Sequence, residues 1–206
     1  MRARRLPLHF RVNEKGWETI SSEQHFANAH LEVATVCVKT PARSKARTWT
    51  IVHRKAAVII APMTHDGKIL LIKQERIPIR DCIWEIPAGQ LDNDETGDDG
   101  IKKVALRELR EETGYELADH GEVLALGRYF SSPGFTEEFG YLFLERPVQP
   151  CPKGDAQDET ESILDCRAFS IQEISRMIAE NKIRDANTLG MCARLAARGF
   201  ISLEPR

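Results

Sequence analysis

Three glutamates, Glu108, Glu111 and Glu112, stand at positions i, i+3 and i+4 in the run Arg107-Glu108-Leu109-Arg110-Glu111-Glu112-Thr113-Gly114. On a helix this spacing sends all three carboxylates out from one face. Like charges so placed oppose the helix, so a neutralising partner is needed. A hard divalent cation such as Mg²⁺ fits, because it takes oxygen ligands and keeps waters and substrate phosphates in its shell. An E-x-x-E-E helix by itself is more often a solvated acidic face. The residues around it must decide between the two.

Those residues read as elements able to position the glutamates. Ile101, Val104, Ala105, Leu106 and Leu109 give the helix an apolar face. Asp99 is its expected N-cap, with Gly100 and Ile101 opening it, and Gly114 its left-handed stop. Before it come a short strand, Trp84 to Pro87, the pair Ala88-Gly89, and an acidic loop from Asp92 to Gly100. Ala56 to Ala61 is a continuous apolar run expected to be a strand buried on both faces. A turn at His65 to Lys68 returns the chain through Ile69 to Gln74, with Arg76 at the end of that strand. Upstream, His30 to Lys39 and Thr48 to Arg54 form an expected antiparallel hairpin, preceded by loops and short strands over residues 1–27. Trp17 and Trp49 read first as core residues.

Downstream, Val123 to Phe130 and Phe139 to Glu145 read as strands joined through a turn at Ser131 to Phe135. A loop over 149–157 runs into Asp158-Glu159-Thr160-Glu161. Ile163 to Phe169 is the expected last strand. Ser170 with Glu173 three residues on is a capping pattern that opens a helix, and Asn187 to Arg198 forms a second one.

Composition narrows the function. The chain has 206 residues, 42% of them hydrophobic, which suits one domain or one domain with an appendage. A net charge of −2 gives no basis for a nucleic-acid partner, and Arg2, Arg4 and Arg5 read as a solvated tail. The five cysteines form no CxxC pair and read as reduced thiols, so the expected location is cytoplasmic. No apolar run approaches the roughly 18 residues of a membrane span, and no secretory leader is expected. The six histidines show no metal-ligand spacing.

Gly89-x5-Glu95 followed by Arg107-Glu108-Leu109-x-Glu111-Glu112-x-Gly114-Tyr115 resembles the Nudix box, G-x5-E-x7-R-E-U-x-E-E-x-G-U. It departs in one place, with eleven residues between Glu95 and Arg107 where the box has seven. A four-residue lengthening of the acidic loop, around Thr96 to Gly100, accounts for this and leaves the helix spacing intact. Glu85-Ile86-Pro87-Ala88-Gly89 resembles the E-x-P-A-G lead-in of the ADP-ribose pyrophosphatase branch. Ser132-Pro133-Gly134-Phe135-Thr136-Glu137 resembles its S-P-G-x-x-E loop, and Asp158 to Ile163 its E-x-E-x-I loop. Lys182 to Thr188 resembles its G-K-I-x-D-A-x-T element. GDP-mannose pyrophosphatases share these markers, so the nucleotide sugar stays open.

The resemblance implies an α/β fold, the Nudix α/β/α sandwich with a mixed β-sheet and an N-terminal antiparallel β extension. Residues 1–54 would be that extension, dimerising, and residues 55–206 the Nudix hydrolase domain. The implied activity is Mg²⁺-dependent (or Mn²⁺-dependent) hydrolysis of the pyrophosphate of ADP-ribose or a related nucleoside diphosphate sugar, using two or three ions. Glu108, Glu112 and the Ala88 carbonyl are implied as metal ligands, with Glu111 sharing a second ion and Glu161 joining as a further ligand. Glu159 is the implied general base, and Arg107 orients a glutamate, Glu95 or Glu85, by a bidentate pair. Arg76 is the candidate contact to pyrophosphate or terminal ribose, and Ser132, Pro133, Gly134 and Glu137 would line the sugar side. Trp17, Phe26 or Phe135 could stack on the base. The implied partners are the nucleotide sugar and a second copy of the chain, with no nucleic acid and no membrane. Rival readings are a GDP-mannose or other nucleoside diphosphate pyrophosphatase, and a non-catalytic sensing module. The presence of all three helix glutamates favours an enzyme.

Overall fold

The computed structural model describes residues 15–92, 97–152 and 162–203. Among them, strands β1 (Glu18–Ala27), β2 (Leu31–Lys39) and β3 (Arg47–Arg54) form a three-stranded antiparallel sheet. Strands β4 (Ala57–Thr64) and β5 (Ile69–Arg76) follow, then a 3-10 turn (Ile77–Ile79), β6 (Asp81–Glu85) and β7 (Ala88–Gln90). Helix α1 (Gly97–Thr113) leads into β8 (Tyr115–Phe130), β9 (Phe139–Pro150) and β10 (Ile163–Phe169). Helices α2 (Ile171–Ala179) and α3 (Ala186–Ala197) complete the order.

The main sheet runs β10-β5-β4-β9-β8, with β6 paired to β5 and β7 to β4. The β4–β9 pair is parallel and the others antiparallel, so the sheet is mixed. The apolar run of β4 lies in its middle, which is why it carries no charge: both faces are covered. On one face Val58, Ile60 and Phe143 pack with Ile101, Val104 and Ala105 of α1. On the other Ile59, Ala61, Leu142 and Leu144 pack with Ile174 and Met177 of α2 and Met191, Cys192 and Leu195 of α3. Each of the buried Val, Leu and Ile side chains among these contributes roughly 1.5–3 kcal/mol. The result is the expected α/β/α sandwich around a mixed sheet. No helix among the described residues is long and apolar enough to cross a membrane.

The helix ends follow the local chemistry. Ser170 and Glu173 make the reciprocal capping box at α2. Gly114 stops α1 with φ +69°. The start of α1 differs from expectation: the helix is already formed at Gly97, so Asp99 lies in its first turn instead of capping it. Residues 97–100, assigned to a lengthened loop, form a helical turn in which Asp98 and Asp99 complement the helix dipole.

The strands also run longer than the periodicity suggests. β8 begins at Tyr115, well before Val123, because it pairs with β9 across two register shifts as far as Tyr115–Pro150. β1 is a ten-residue strand where loops and short strands were expected. Its residues are exposed throughout, so no apolar alternation marks it; pairing to β2 defines it instead. Trp17 and Trp49 are each 57% exposed and not core residues, because no second layer covers this sheet among the described residues.

Candidate active site

Glu108 and Glu112 are buried on the sheet side of α1, at 5% and 1% exposure. Two features of the preceding chain make room for them. Gly89 has no side chain, and a Cβ there would stand 2.0 Å from the Glu108 carboxyl carbon. The Ala88 N–H donates to Glu112 Oε2 at 2.8 Å. Strand β7 therefore lays its backbone directly against the glutamates, which is the physical reason for the Ala-Gly pair.

Arg107 sits 3.0 Å from Glu108 and 2.8 Å from Glu111. It pairs with these two glutamates of its own helix and not with Glu85. Glu85 is buried on β6 and held by Arg76, whose Nε and Nη2 both donate to it, at 2.9 and 2.5 Å. The strand pairing explains the exchange, since Arg76 ends β5 and β6 runs back beside it. Glu95 lies outside the described residues.

Arg76, Glu85, Ala88 and Gly89 line a cleft of about 400 Å³, together with Arg54 and Tyr129. Asp185 and Asn187, at the start of α3, close one side of it. The Tyr129 hydroxyl donates to Asn187 Oδ1. Burial, then the carboxylates of Asp185 and Glu138, raise its pKa, so the phenol stays a donor. Asp185 caps α3 by accepting from the Asn187 and Thr188 N–H groups. The hydroxyl of Thr188 donates to Asp185 and accepts from the Ile86 N–H at 2.8 Å. This last bond ties α3 to the strand carrying Glu85. We expect Thr188→Val to leave the buried Ile86 N–H unpaired and to lower unfolding free energy by about 1–3 kcal/mol in chemical denaturation.

The turn after β8 is strapped to β3. Val52 N–H donates to Phe135 O at 2.8 Å, Trp49 Nε1 to Gly134 O at 2.8 Å, and the His53 ring lies 2.5 Å from Glu137. Gly134 and Glu137 are thus bonded to the N-terminal sheet, and Ser132, Pro133, Gly134 and Glu137 do not line the cleft of the single chain. Their neighbours Ser131 and Glu138 do line it, with Arg54 3.0 Å from Glu138.

Glu159 and Glu161 lie outside the described residues. The described residues on either side are anchored: Cys151 N–H donates to Gly114 O at 2.8 Å, and Glu75 N–H to Ser162 O at 3.0 Å. The second anchor sits one residue from Arg76. Among the described residues no three His, Cys, Asp or Glu side chains converge on one point. Arg107 draws Glu108 and Glu111 together, while Glu112 is turned to the Ala88 amide.

Comparison with protein families matches residues 52–189 to the NUDIX domain. The chain belongs to the Nudix family. The ADP-ribose pyrophosphatase of Bacillus subtilis (strain 168) is 31% identical over 171 residues, spanning 83% of this chain and 88% of that protein. The methanol dehydrogenase activator of Bacillus methanolicus is also 31% identical, over 84% of this chain and 88% of that protein. The ADP-ribose pyrophosphatase of Mycobacterium tuberculosis (strain ATCC 25618 / H37Rv) is 28% identical over 93% of this chain and 90% of its own length. A crystal structure of an ADP compounds hydrolase has the same fold, with a TM-score of 0.71 at 16% identity over 90% of this chain and 97% of that one.

The chain is thus a Nudix pyrophosphohydrolase similar to ADP-ribose pyrophosphatases, and Nudix hydrolases generally use divalent metal ions. Within the Nudix box the glutamate helix, Gly89 and Gly114 could be read from sequence. Tyr129, Arg54 and Glu138 could not, since nothing in their local sequence separates them from ordinary strand and turn residues. Asp185 and Thr188 stood in a recognisable element, but the Thr188 contact with Ile86 is a tertiary fact.

Proposed function

We propose that this Nudix enzyme hydrolyses the pyrophosphate bond of ADP-ribose, or of a related nucleoside diphosphate sugar, giving a nucleoside monophosphate and a sugar phosphate. The proposed cofactor is Mg²⁺, with Mn²⁺ as the alternative. One observation carries this reading: Glu108 and Glu112 are buried against the Ala88-Gly89 backbone, beside a cleft that presents Arg54 and Arg76. Buried carboxylates are costly unless compensated. Arg107 pairs with Glu108 and Glu111 and the Ala88 amide with Glu112, and the three glutamates form an oxygen-only donor set suited to a hard cation.

Glu108, Glu112, Glu111, the Ala88 carbonyl and Glu161 would hold two or three ions. When bound, such ions neutralise pyrophosphate charge and acidify the attacking water. Arg107 holds Glu108 and Glu111 in place. Arg76, fixed by Glu85, is the guanidinium offered to the pyrophosphate or the terminal ribose. Glu159 is the proposed general base that takes the water proton. Ser162, three residues on in the chain, accepts from the Glu75 N–H next to Arg76, and this supports the reading.

The close approach at Gly89 tests the arrangement. Gly89→Ala should push the Glu108 carboxyl aside and lower Mg²⁺ affinity and turnover roughly 10–100-fold. Isothermal titration and initial rates would measure this, while the melting temperature changes little. Retained metal affinity would count against the cradle.

We also propose that residues 1–54 act as a dimerising extension to a catalytic unit over 55–206. The family match begins at residue 52, which agrees with that division. β1 is exposed along its length, and Trp17, Ile20, Phe26 and Trp49 are each more than half exposed. Apolar side chains on an uncovered sheet favour association with a second copy. Ser132, Pro133, Gly134 and Glu137, strapped to that sheet, would then reach the sugar side of a site shared between the copies. Light scattering should return a dimer mass; a monomer at working concentration would contradict this. The five free thiols accord with a reducing compartment, the cytoplasm.

A further inference from the structure

A second cleft lies behind the strands that hold Arg76 and Glu85. Its volume is about 500 Å³, within the roughly 300–1,000 Å³ of small-molecule sites. Strand alternation places it there. Ile72 of β5 is the register partner of Glu85, and one residue on, Lys73 is the partner of Trp84. Lys73 and Trp84 therefore project from the opposite face of the same two strands. The two clefts share Ile83 of β6 in their linings.

The lining has an unusual charge balance. It contains Lys73, Arg167, Lys182 and Arg184, the aromatic rings of Trp84 and Phe169, and no acidic side chain. The two rings meet edge to face with centroids 4.9 Å apart, and the Arg167 guanidinium lies 5.6 Å from the Trp84 ring centre. Three carboxylates from outside the lining pair with three of the cations: Asp165 with Arg167, Asp81 with Arg184, and Glu180 with Lys182 at 2.6 Å. Lys73 makes no ion pair among the described residues. Asp165, its register partner on β10, is taken by Arg167, and Lys73 acts on Asp81 only through its field. The paired cations are 47–64% exposed, so each pair is worth little and exchanges readily. Four cations converging on an aromatic wall match a phosphate group attached to a flat or apolar body.

We propose that this cleft is a second, non-catalytic site for a phosphomonoester. Lys73 and Arg167 hold the phosphate, with Lys182 and Arg184 adding positive field, and the rest of the ligand lies against Trp84 and Phe169. The assignment does not depend on the catalytic reading, because it concerns binding by other side chains on the far face of β5 and β6.

The test is binding without turnover. The Trp84 indole N–H is followed by NMR, assigned with Trp84→Phe, while inorganic phosphate, ribose 5-phosphate or AMP is added to full-length protein in EDTA. The expected result is a saturable shift that is roughly tenfold weaker or more in the Lys73→Glu/Arg167→Glu protein. Basal hydrolysis in that variant should stay unchanged, and the shift should persist in Arg76→Ala. Equal affinity for all three probes would support the proposal with phosphate as the recognised group. Tighter binding of AMP would support it with Trp84 contacting the base. If the charge reversal fails to fold, Lys73→Gln with Arg167→Gln gives the same reading. No shift with any probe overturns the proposal. So does a shift that survives the double substitution or vanishes in Arg76→Ala.

Discussion

Replacing Glu112 by glutamine should lower turnover by several orders of magnitude and leave the fold intact. The substitution keeps the volume of a side chain that is 1% exposed and packed against the sheet. It also keeps an oxygen that can accept from the Ala88 N–H. What it removes is one negative charge from the cluster of Glu108, Glu111 and Glu112, and that charge is what a divalent cation requires. Melting temperature should stay level or rise, since a buried charge is lost. Metal titration and single-turnover rates should fall together. Activity close to that of the unaltered protein would rule out the metal assignment.

The second large effect concerns stability. Glu145 of β9 is fully buried, and neither carboxylate oxygen has a hydrogen-bond partner among the described residues. Its register neighbours, Pro62 on β4 and Val123 on β8, carry no charge, and the adjacent Arg146 is taken by Glu122 at 3.0 Å. Burial pushes the Glu145 carboxyl up from its ordinary 4.5 to about 8. In the unfolded chain this group releases its proton near its ordinary value, whereas in the folded protein it holds the proton until about pH 8. The unfolded state therefore binds fewer protons across that window, and stability falls as pH rises through it. The displacement corresponds to at most about 5 kcal/mol, and relaxation of the site reduces this to a few. Glu145→Gln should flatten the decline, so its advantage over the unaltered protein grows from about pH 5 to pH 8. For a chain of this size each kcal/mol shifts the melting temperature by roughly 2–4 °C. Melting curves across that range would measure it. A parallel pH dependence in the two proteins would mean that Glu145 is not the group responsible.

These two glutamates show what sequence could and could not convey. Glu112 was legible because chemistry fixes its spacing to Glu108 and Glu111, and local geometry puts all three on one helix face. The central strand was legible too, since burial on both faces leaves a run without charges. Glu145 was not, because it ends an apolar strand where a charged residue normally marks the exit to solvent; only the continuation of β9 to Pro150 buries it. That Glu85 pairs with Arg76 and not with Arg107 was hidden for a similar reason. Arg76 and Glu85 are nine residues apart, and the hairpin that joins them depends on the 3-10 turn at Ile77–Ile79. The extra residues before the helix were placed in a loop because insertions are cheapest there, yet Gly97 to Gly100 extend α1 by a turn. β1 gave no periodic signal, being exposed on both faces.

The most direct test of the central claim is product analysis on a panel of nucleoside diphosphate sugars. The unaltered protein would be incubated with each in Mg²⁺, in Mn²⁺ and in EDTA, with the Glu112→Gln protein alongside. The expected result is cleavage of ADP-ribose or a close relative to a nucleoside monophosphate and a sugar phosphate. That cleavage should need the metal and be lost in the variant. Cleavage that persists in EDTA, or an unaltered protein that hydrolyses no member of the panel with either metal, would contradict the account.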